Sequence, residues 1–234
     1  MANEEKAWDY IIRIPEIGID PARSALIVID LQYMFASREH GMFKRLATNG
    51  LAGEAEYAIS RIESTVVPNV RRLTDVFRAK RLPIVYARSA SIRGDGSDQT
   101  SRHRAQGLIC PEWDHGAQIL AEIAPQLGDI VMTKSGSGCF TSTNLDHMLR
   151  NIGITTVILT GMWTNSCVET TARHAGDLDY GVVIVEDACV AMTPDNHTWA
   201  LRYLGDNFGV VRSADEVVAA VAELSDVATT LSSV

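Results

Sequence analysis

Residues 160–169 read TGMWTNSCVE, and this stretch decides the fold. The run before it, TVILT at 156–160, is β-branched and apolar, which predicts a buried parallel strand. From Cys167 onward the chain reads CVETTARHA, which predicts a helix. Gly161 gives the backbone freedom to leave the strand sharply, and Ser166 is a good N-cap residue. The sequence therefore predicts a strand, a turn and a helix, with Cys167 in the first helical turn.

A cysteine at this position is a candidate nucleophile. Open α/β sheets bind their ligands at the carboxyl ends of the strands, which is where the turn before Cys167 is expected to lie. The partial positive charge at the N-terminus of a helix also lowers the pKa of a thiol. We therefore expect Cys167 to be a reactive thiol with a lowered pKa.

Strands and helices alternate along the rest of the chain without a break in composition. Further strands are predicted at 25–29, 82–87, 129–132, 182–185 and 209–212, and the longer helices at 63–81, 144–151, 193–208 and from 213 onward. This pattern predicts a single-domain α/β sandwich of three layers, with a central, mostly parallel six-stranded sheet and helices on both faces. The domain is expected to span 23–225, between a surface segment at 1–22 and a frayed tail at 226–234.

Composition narrows the classes of function. The chain has 234 residues, of which 46% are hydrophobic and 21% are charged, as is typical of a soluble globular protein. Its net charge of −8 makes it a poor candidate for binding nucleic acid or an anionic membrane. No signal peptide, membrane-length apolar run or zinc-like cysteine spacing is visible. We therefore expect a cytoplasmic protein whose cysteines are free thiols.

Three chemically useful residues stand at or just beyond the ends of predicted strands: Asp30, Lys134 and Cys167. Because the carboxyl ends of parallel strands share one edge of the sheet, the three side chains can converge. Lys134 can hold Cys167 toward the thiolate by its charge, and Asp30 can take the thiol proton and pass it on. Each residue also has an ordinary alternative: a solvated aspartate, a surface lysine and a core cysteine. Spacing alone leaves these alternatives open.

Three motifs carry a resemblance to a known family. They are LIVIDLQ at 26–32 followed by Phe35, Lys134 followed by FTSTNL at 140–145, and TGMWTNSCV at 160–168. Together they resemble the isochorismatase-like cysteine hydrolases over about residues 24–212. The layout is most similar to the branch of N-carbamoylsarcosine amidases, ureidoacrylate amidohydrolases and biuret hydrolases.

The resemblance implies a role for each residue of the site. Cys167 would be the nucleophile, Asp30 the general base and then the general acid, and Lys134 the residue that polarises the site. The family also has a non-proline cis peptide bond, which would join Met162 to Trp163 here. The backbone N–H groups of Trp163 and Cys167 would then face the oxyanion of the reaction.

The residues expected to contact substrate are Gln32, Phe35, Phe140, Met162 and Trp163. For the two phenylalanines a place in the core is an equal alternative. The irregular stretch 88–115 carries the basic residues Arg93, Arg102, His103 and Arg104. These basic residues either form a solvated loop or meet a polar or anionic substrate.

We therefore predict a cysteine amidohydrolase that cleaves a C–N bond of a small linear amide or N-carbamoyl compound through a thioester and releases ammonia. Nicotinamidases of the family hold a metal through an Asp-x-His step, and no such step precedes Lys134, so we predict no metal and no other cofactor. Two alternatives stay open: an ether or ester hydrolase of the isochorismatase type, and a non-catalytic small-molecule binder. The resemblance also suggests a homo-oligomer, a tetramer or a dimer.

Overall fold

A sheet of six parallel strands forms the centre of the molecule. The computed structural model describes residues 16–20, 23–107 and 109–223. The strands are β1 Ser24–Ile29, β2 Ile84–Ser89, β3 Ile130–Lys134, β4 Thr156–Met162, β5 Gly181–Val190 and β6 Val210–Arg212. Their order across the sheet is β3-β2-β1-β4-β5-β6, and every neighbouring pair is parallel. This architecture confirms the predicted α/β fold.

Ten α-helices connect the strands within the described ranges. They are α1 Tyr33–Ala36, α2 Gly41–Thr48, α3 Ala52–Arg61, α4 Val67–Ala79, α5 Ser101–Gln106, α6 Cys139–Ser142, α7 Leu145–Asn151, α8 Glu169–Asp177, α9 Pro194–Asn207 and α10 Ala214–Ala222. Two π-helical turns, Ile62–Val66 and Thr164–Val168, precede α4 and α8, and two 3₁₀ turns cover His115–Ala117 and Ala121–Ile123.

The central strands β1 and β4 are buried on both faces, and most of their residues are apolar. In β1, Leu26 and Val28 face one helical layer, while Ala25, Ile27 and Ile29 face the other. The first layer is built from apolar residues of α3, α4 and α10, and the second from those of α7, α8 and α9. Each layer covers one face of the sheet, which gives the three layers that the alternating strands and helices predicted.

The predicted helix at 63–81 is wrong at its start. Helical structure begins at α3, and a π-helical turn at Ile62–Val66 joins α3 to α4. At this turn the backbone N–H of Val67 donates to the carbonyl of Ile62, five residues back. The following residue, Pro68, has no N–H to donate, so the regular ladder cannot pass through it and the helix widens instead.

Strands β3, β4 and β5 run further toward the carboxyl edge than predicted. Lys134 is the last residue of β3, and β5 continues to Val190 instead of ending at 185. The extension of β5 follows a shift of register in β4, after which Gly161 pairs with Cys189 and Met162 with Val190. Of these strands, β4 leads into the turn that holds Cys167.

Two predicted helix starts are confirmed, and one predicted end lies outside the described residues. The Thr193 side chain accepts from the backbone of Asn196 at the start of α9. Ser213 and Glu216 form the predicted capping box of α10. The tail at 226–234, and all of the 1–22 segment except residues 16–20, fall outside the described ranges.

Gly161 is required by a close approach of β1 to β4. Its φ of +106° is rare for residues with a side chain, and a Cβ placed there would lie 2.0 Å from the carbonyl oxygen of Ile29. Gly128 is a suitable control for Gly161, because its φ of +100° is similar but a Cβ added there would meet no heavy atom within 4 Å.

Replacement of Gly161 by alanine should therefore cost more than the same change at Gly128. We expect Gly161→Ala to lower the free energy of unfolding by roughly 3 kcal/mol or more, because backbone strain and a steric clash add. Gly128→Ala carries only the conformational cost, about 1 kcal/mol. Urea unfolding of both variants measures the difference, and equal losses would contradict the close approach.

Candidate active site

Asp30 is placed by the turn that ends β1. Its φ of +56° lies in the left-handed region, which aspartate tolerates better than most residues. The Asp30 N–H donates to the carbonyl of Ala87 at 2.9 Å, and the N–H of Gln32 donates to the Asp30 carbonyl at 2.8 Å. The residue is only 4% exposed. The turn therefore fixes a buried carboxylate at the carboxyl edge of the sheet.

Lys134 balances that carboxylate from the end of β3. Its side chain is fully buried, and Nζ lies 2.9 Å from Asp30 Oδ2. The same ammonium donates to the carbonyl of Gly136 at 3.1 Å and lies 3.5 Å from Cys167 Sγ. Burial is the largest single influence and works to lower the pKa of Lys134, but the charge and hydrogen bond of Asp30, together with the nearby sulfurs of Cys167 and Cys139, raise the pKa overall. The lysine is therefore a cation at neutral pH.

The two oxygens of the Asp30 carboxylate differ. Oδ2 is held by Lys134, whereas Oδ1 is buried and has no hydrogen-bond partner among the described residues. A buried carboxylate oxygen without a partner is costly, and such atoms are rare in folded proteins. Oδ1 is thus the oxygen available to a proton or to a bound molecule.

Cys167 lies in the π-helical turn Thr164–Val168 and not in the first turn of an α-helix. Trp163, and not Ser166, occupies the N-cap position of this turn, so the predicted cap is wrong. The carbonyl of Trp163 accepts from the N–H groups of Ser166 and Val168, at 2.9 Å and 3.2 Å. These bonds close the turn tightly around the cysteine.

The predicted lowering of the Cys167 pKa is also wrong. Burial, with the residue only 8% exposed, raises the pKa of the thiol to about 11. The charge of Lys134 works to lower it, while the charge of Asp30 raises it further. Desolvation disfavours the thiolate more than the single ammonium favours it. The cysteine is therefore a thiol at neutral pH and needs a base before it can attack.

The peptide bond between Met162 and Trp163 is cis, at the position that the family resemblance implied. Thr164, the residue after the cis bond, is fully buried, and its Oγ1 lies 2.8 Å from His197 Nδ1. Burial, and then the charge of Arg61, lowers the pKa of His197 to about 4. The partner of the Thr164 hydroxyl is therefore a neutral imidazole.

A cavity of about 370 Å³ opens above Asp30 and Cys167. Phe35, Met162 and Trp163, three of the residues expected to contact substrate, line it. The other lining residues are Met42, Arg45, Leu46, Ser89, Arg102, His103, Gln106, Ser166 and Met192. The lining is mostly apolar, with basic and amide side chains contributed by α2 and α5.

Gln32 and Phe140 do not line this cavity. Gln32 is fully buried, and its Nε2 donates to the carbonyls of Ser89 and Gly116 at 2.9 Å and 3.1 Å. Its Oε1 accepts from the N–H of Ser89 at 2.8 Å, so the whole amide joins backbone segments. Phe140 packs on Tyr180 in the core, with ring centroids 5.4 Å apart. Neither side chain is placed to touch a molecule bound beside Cys167.

Local sequence patterns did not indicate the contribution of α2 or of the segment after β5. They predicted no element for residues 37–53, yet Met42, Arg45 and Leu46 line the cavity from a helix. The spacing of Met42 and Leu46, which places both on one side of a helix, was the available signal. Met192 follows β5, which ends at Val190 and not at 185 as predicted, and no local pattern indicated that this segment reaches the cavity.

No cluster of three or more His, Cys, Asp or Glu side chains that could hold a metal ion occurs within residues 16–20, 23–107 and 109–223. None of the helices in those ranges is long and apolar enough to cross a membrane. The paired Asp30 and Lys134 lie beside Cys167, and basic residues stand in the cavity wall.

A known domain family and two related proteins match most of this chain. The isochorismatase domain matches residues 24–216. The uncharacterized isochorismatase family protein YwoC of Bacillus subtilis is 32% identical over 206 residues, covering 86% of this chain and 95% of that protein. Ureidoacrylate amidohydrolase RutB of Rhizobium rhizogenes is 27% identical over 226 residues, covering 88% of this chain and 87% of that protein.

Two solved structures share the fold at similar identity. A cysteine hydrolase from Pseudomonas syringae pv. phaseolicola superposes with a TM-score of 0.74 at 27% identity, covering 88% of this chain and 96% of that one. N-carbamoylsarcosine amidase from Thermoplasma acidophilum gives a TM-score of 0.64 at 29% identity, covering 82% of this chain and 97% of that one.

The buried pair predicts a specific pattern of stability. Lys134→Met leaves Asp30 as an uncompensated buried charge and should lower the free energy of unfolding by about 3–5 kcal/mol. Adding Asp30→Asn removes that charge, and asparagine tolerates the left-handed backbone as well as aspartate does. In a double-mutant cycle measured by denaturant unfolding at pH 7, the double variant should lose less than the two single losses added together. Strict additivity would show that the two groups are not coupled.

Proposed function

The chain belongs to the isochorismatase family of hydrolases, and we propose that it is a cysteine amidohydrolase acting on a small linear amide or N-carbamoyl compound. One observation carries the proposal. Lys134 Nζ lies 2.9 Å from the Asp30 carboxylate and 3.5 Å from Cys167 Sγ, in a buried site that opens into the cavity. The amidohydrolase and amidase among the similar proteins support an amide as the substrate.

In the first step Asp30 acts as the general base. Because the pKa of Cys167 is raised to about 11, the sulfur must lose its proton as it attacks. Asp30 Oδ1 is buried beside the site without a partner, so it is the oxygen that takes the proton. The sulfur then forms a bond to the amide carbon, and the carbonyl π electrons move to the oxygen.

Lys134 supports this step in two ways. Its contact with Oδ2 gives the buried carboxylate of Asp30 a counter-charge at 2.9 Å. Its contact with the sulfur stabilises the negative charge that develops there as the proton leaves. The same ammonium therefore prepares the base and the nucleophile.

The tetrahedral intermediate is resolved by return of the proton. We propose that the backbone N–H groups of Trp163 and Cys167 bind the oxyanion. Asp30 gives its proton to the amide nitrogen, the C–N bond breaks and ammonia leaves, with a thioester on Cys167. Asp30 next takes a proton from water, the hydroxyl adds to the thioester carbon, and the C–S bond breaks. The proton returns to sulfur and the acid product leaves.

Other expectations extend this proposal. A cavity of about 370 Å³ suits a small substrate, and Phe35, Met162 and Trp163 would contact its apolar part. The mechanism uses only side chains and backbone groups of this chain, which is why we propose that it needs no metal and no cofactor. The homo-oligomer and the cytoplasmic location stay predictions.

Loss of the nucleophile should abolish turnover. We would measure ammonia release from biuret, ureidoacrylate, N-carbamoylsarcosine, nicotinamide and maleamate. For any compound that is turned over, Cys167→Ala should lower kcat by roughly 10⁴-fold or more, because the thioester cannot form.

Cys139→Ala is the matched control. Cys139 is also a buried thiol, and its Sγ lies 3.4 Å from Thr171 Oγ1, but the mechanism gives it no role. This variant should retain turnover, and so should the wild type after exhaustive chelation. A loss of only a few-fold in Cys167→Ala would refute the thioester. Turnover of a vinyl ether or ester without ammonia release would favour the isochorismatase-type alternative.

A further inference from the structure

The short helix α5 forms one wall of the cavity and is fixed at both ends. The Thr100 side chain caps it by accepting from the N–H of His103 at 3.3 Å, and the Thr100 N–H donates to the carbonyl of Ser135 at 3.3 Å. At the other end, Arg45 donates to the carbonyls of Gln106 and Gly107, each at 3.1 Å. His103 lines the cavity from this fixed helix.

The orientation of the Gln99 amide is set by the backbone. Gln99 is only 6% exposed, and its Nε2 lies 2.5 Å from the carbonyl oxygen of Ala90. A carbonyl oxygen only accepts, so the amide nitrogen and not the amide oxygen must face Ala90. The amide oxygen then faces His103, with Oε1 at 3.2 Å from Nδ1.

This contact fixes the tautomer of His103. The Oε1 atom of Gln99 has no hydrogen to give, so Nδ1 of His103 must carry the proton and donate it. A neutral imidazole with a proton on Nδ1 has a free lone pair on Nε2, on the opposite side of the ring. The fixed amide of Gln99 therefore makes Nε2 of His103 a hydrogen-bond acceptor.

The surroundings favour the neutral ring. Burial, followed by the charges of Lys134 and Arg102, lowers the pKa of His103, while the charge of Asp30 opposes them. These charges act on the ring because α5 lies close to the catalytic pair. At neutral pH the imidazole is therefore uncharged, and Nε2 keeps its lone pair.

An acceptor is a scarce group in this cavity. Arg45, Arg102 and Lys134 can only donate, and Asp30 is engaged by Lys134 on one oxygen and receives the thiol proton on the other. The remaining polar side chains of the wall, those of Ser89, Ser166 and Gln106, can donate as well as accept. Apart from Asp30, His103 is the one described side chain of the wall that is fixed as an acceptor.

We propose that His103 is a specificity-determining residue whose Nε2 accepts a hydrogen bond from a substrate N–H next to the scissile carbonyl. The site then selects ureido compounds whose second nitrogen carries hydrogen over those in which that nitrogen is alkylated. The proposal rests on the proposed function, because it concerns the substrate of the same site. His103 is partly buried, and a bound substrate with an alkylated nitrogen would cover the Nε2 lone pair without giving it a donor, which is costly.

The tautomer can be measured without any substrate. The experiment uses the full-length protein with ¹⁵N-labelled histidine rings. NMR spectra that correlate ring nitrogens with ring protons should show that Nδ1 of His103 is protonated and Nε2 is unprotonated. His103→Phe identifies the signal by its disappearance. Gln99→Met, which removes the fixing oxygen, should shift the tautomer equilibrium. A ring protonated on Nε2 in the wild type would overturn the proposal.

Selectivity is measured with two probes that differ by one methyl group. N-carbamoylglycine has an N–H where N-carbamoylsarcosine has N–CH₃. The ratio of their kcat/KM values should favour N–H in the wild type and fall by about tenfold in His103→Phe, which keeps a ring but has no acceptor. His103→Gln, whose amide oxygen can accept, should keep part of the preference. His147→Phe, an exposed histidine of α7, is the control and should leave the ratio unchanged.

An unchanged ratio in His103→Phe would overturn the proposal even if the tautomer is as expected. If the wild type turns over neither probe, the proposed function fails for this class of substrate. The probes would then be compared by how strongly each slows alkylation of Cys167, and the same change in ratio would decide the role of His103. Failure of the proposed function and failure of the role of His103 are thus separated.

Discussion

The buried ion pair between Asp30 and Lys134 is the constraint on which the site depends. Both groups lie within the protein, at the ends of β1 and β3, and Lys134 Nζ is 2.9 Å from Asp30 Oδ2. Neither charge is tolerable there without the other, because desolvation of a lone ion costs several kcal/mol or more. The ends of β1 and β3 must therefore lie side by side. The ammonium of Lys134 contacts Asp30 Oδ2 and the Gly136 carbonyl, and its third contact is with Cys167 Sγ, 3.5 Å away.

The pair also explains why a buried thiol is useful at this place. Desolvation keeps Cys167 protonated, which by itself would make it inert. The proposed mechanism resolves this by keeping a charged base beside the thiol, so that the proton moves only as the sulfur attacks. The strand order places this site at the centre of the sheet, where β1 and β4 are neighbours. The direction of chain connection reverses between these two strands, and parallel α/β sheets bind ligands at such a point.

The fold and the convergence of the three site residues could be predicted because they follow from local pattern. Runs of apolar residues mark buried parallel strands, and Asp30, Lys134 and Cys167 stand at their ends. The pKa of Cys167 could not be predicted, since it depends on burial by segments distant in sequence. The same holds for Gln32, whose amide bonds to backbone far along the chain, and for His103, whose tautomer is set by an amide that is itself fixed by Ala90. Local pattern places residues at an edge, but it does not determine what packs around them.

In the proposed mechanism the ion pair serves a protonated thiol and not a preformed thiolate. The most direct test is the rate at which iodoacetamide alkylates Cys167, measured on the peptide that contains Cys167, from pH 6 to pH 11. We predict a rate that keeps rising through this range, because burial raises the pKa of the thiol to about 11. A rate that is already constant near pH 7 would mean a stable thiolate at rest, and would contradict the role given to Asp30.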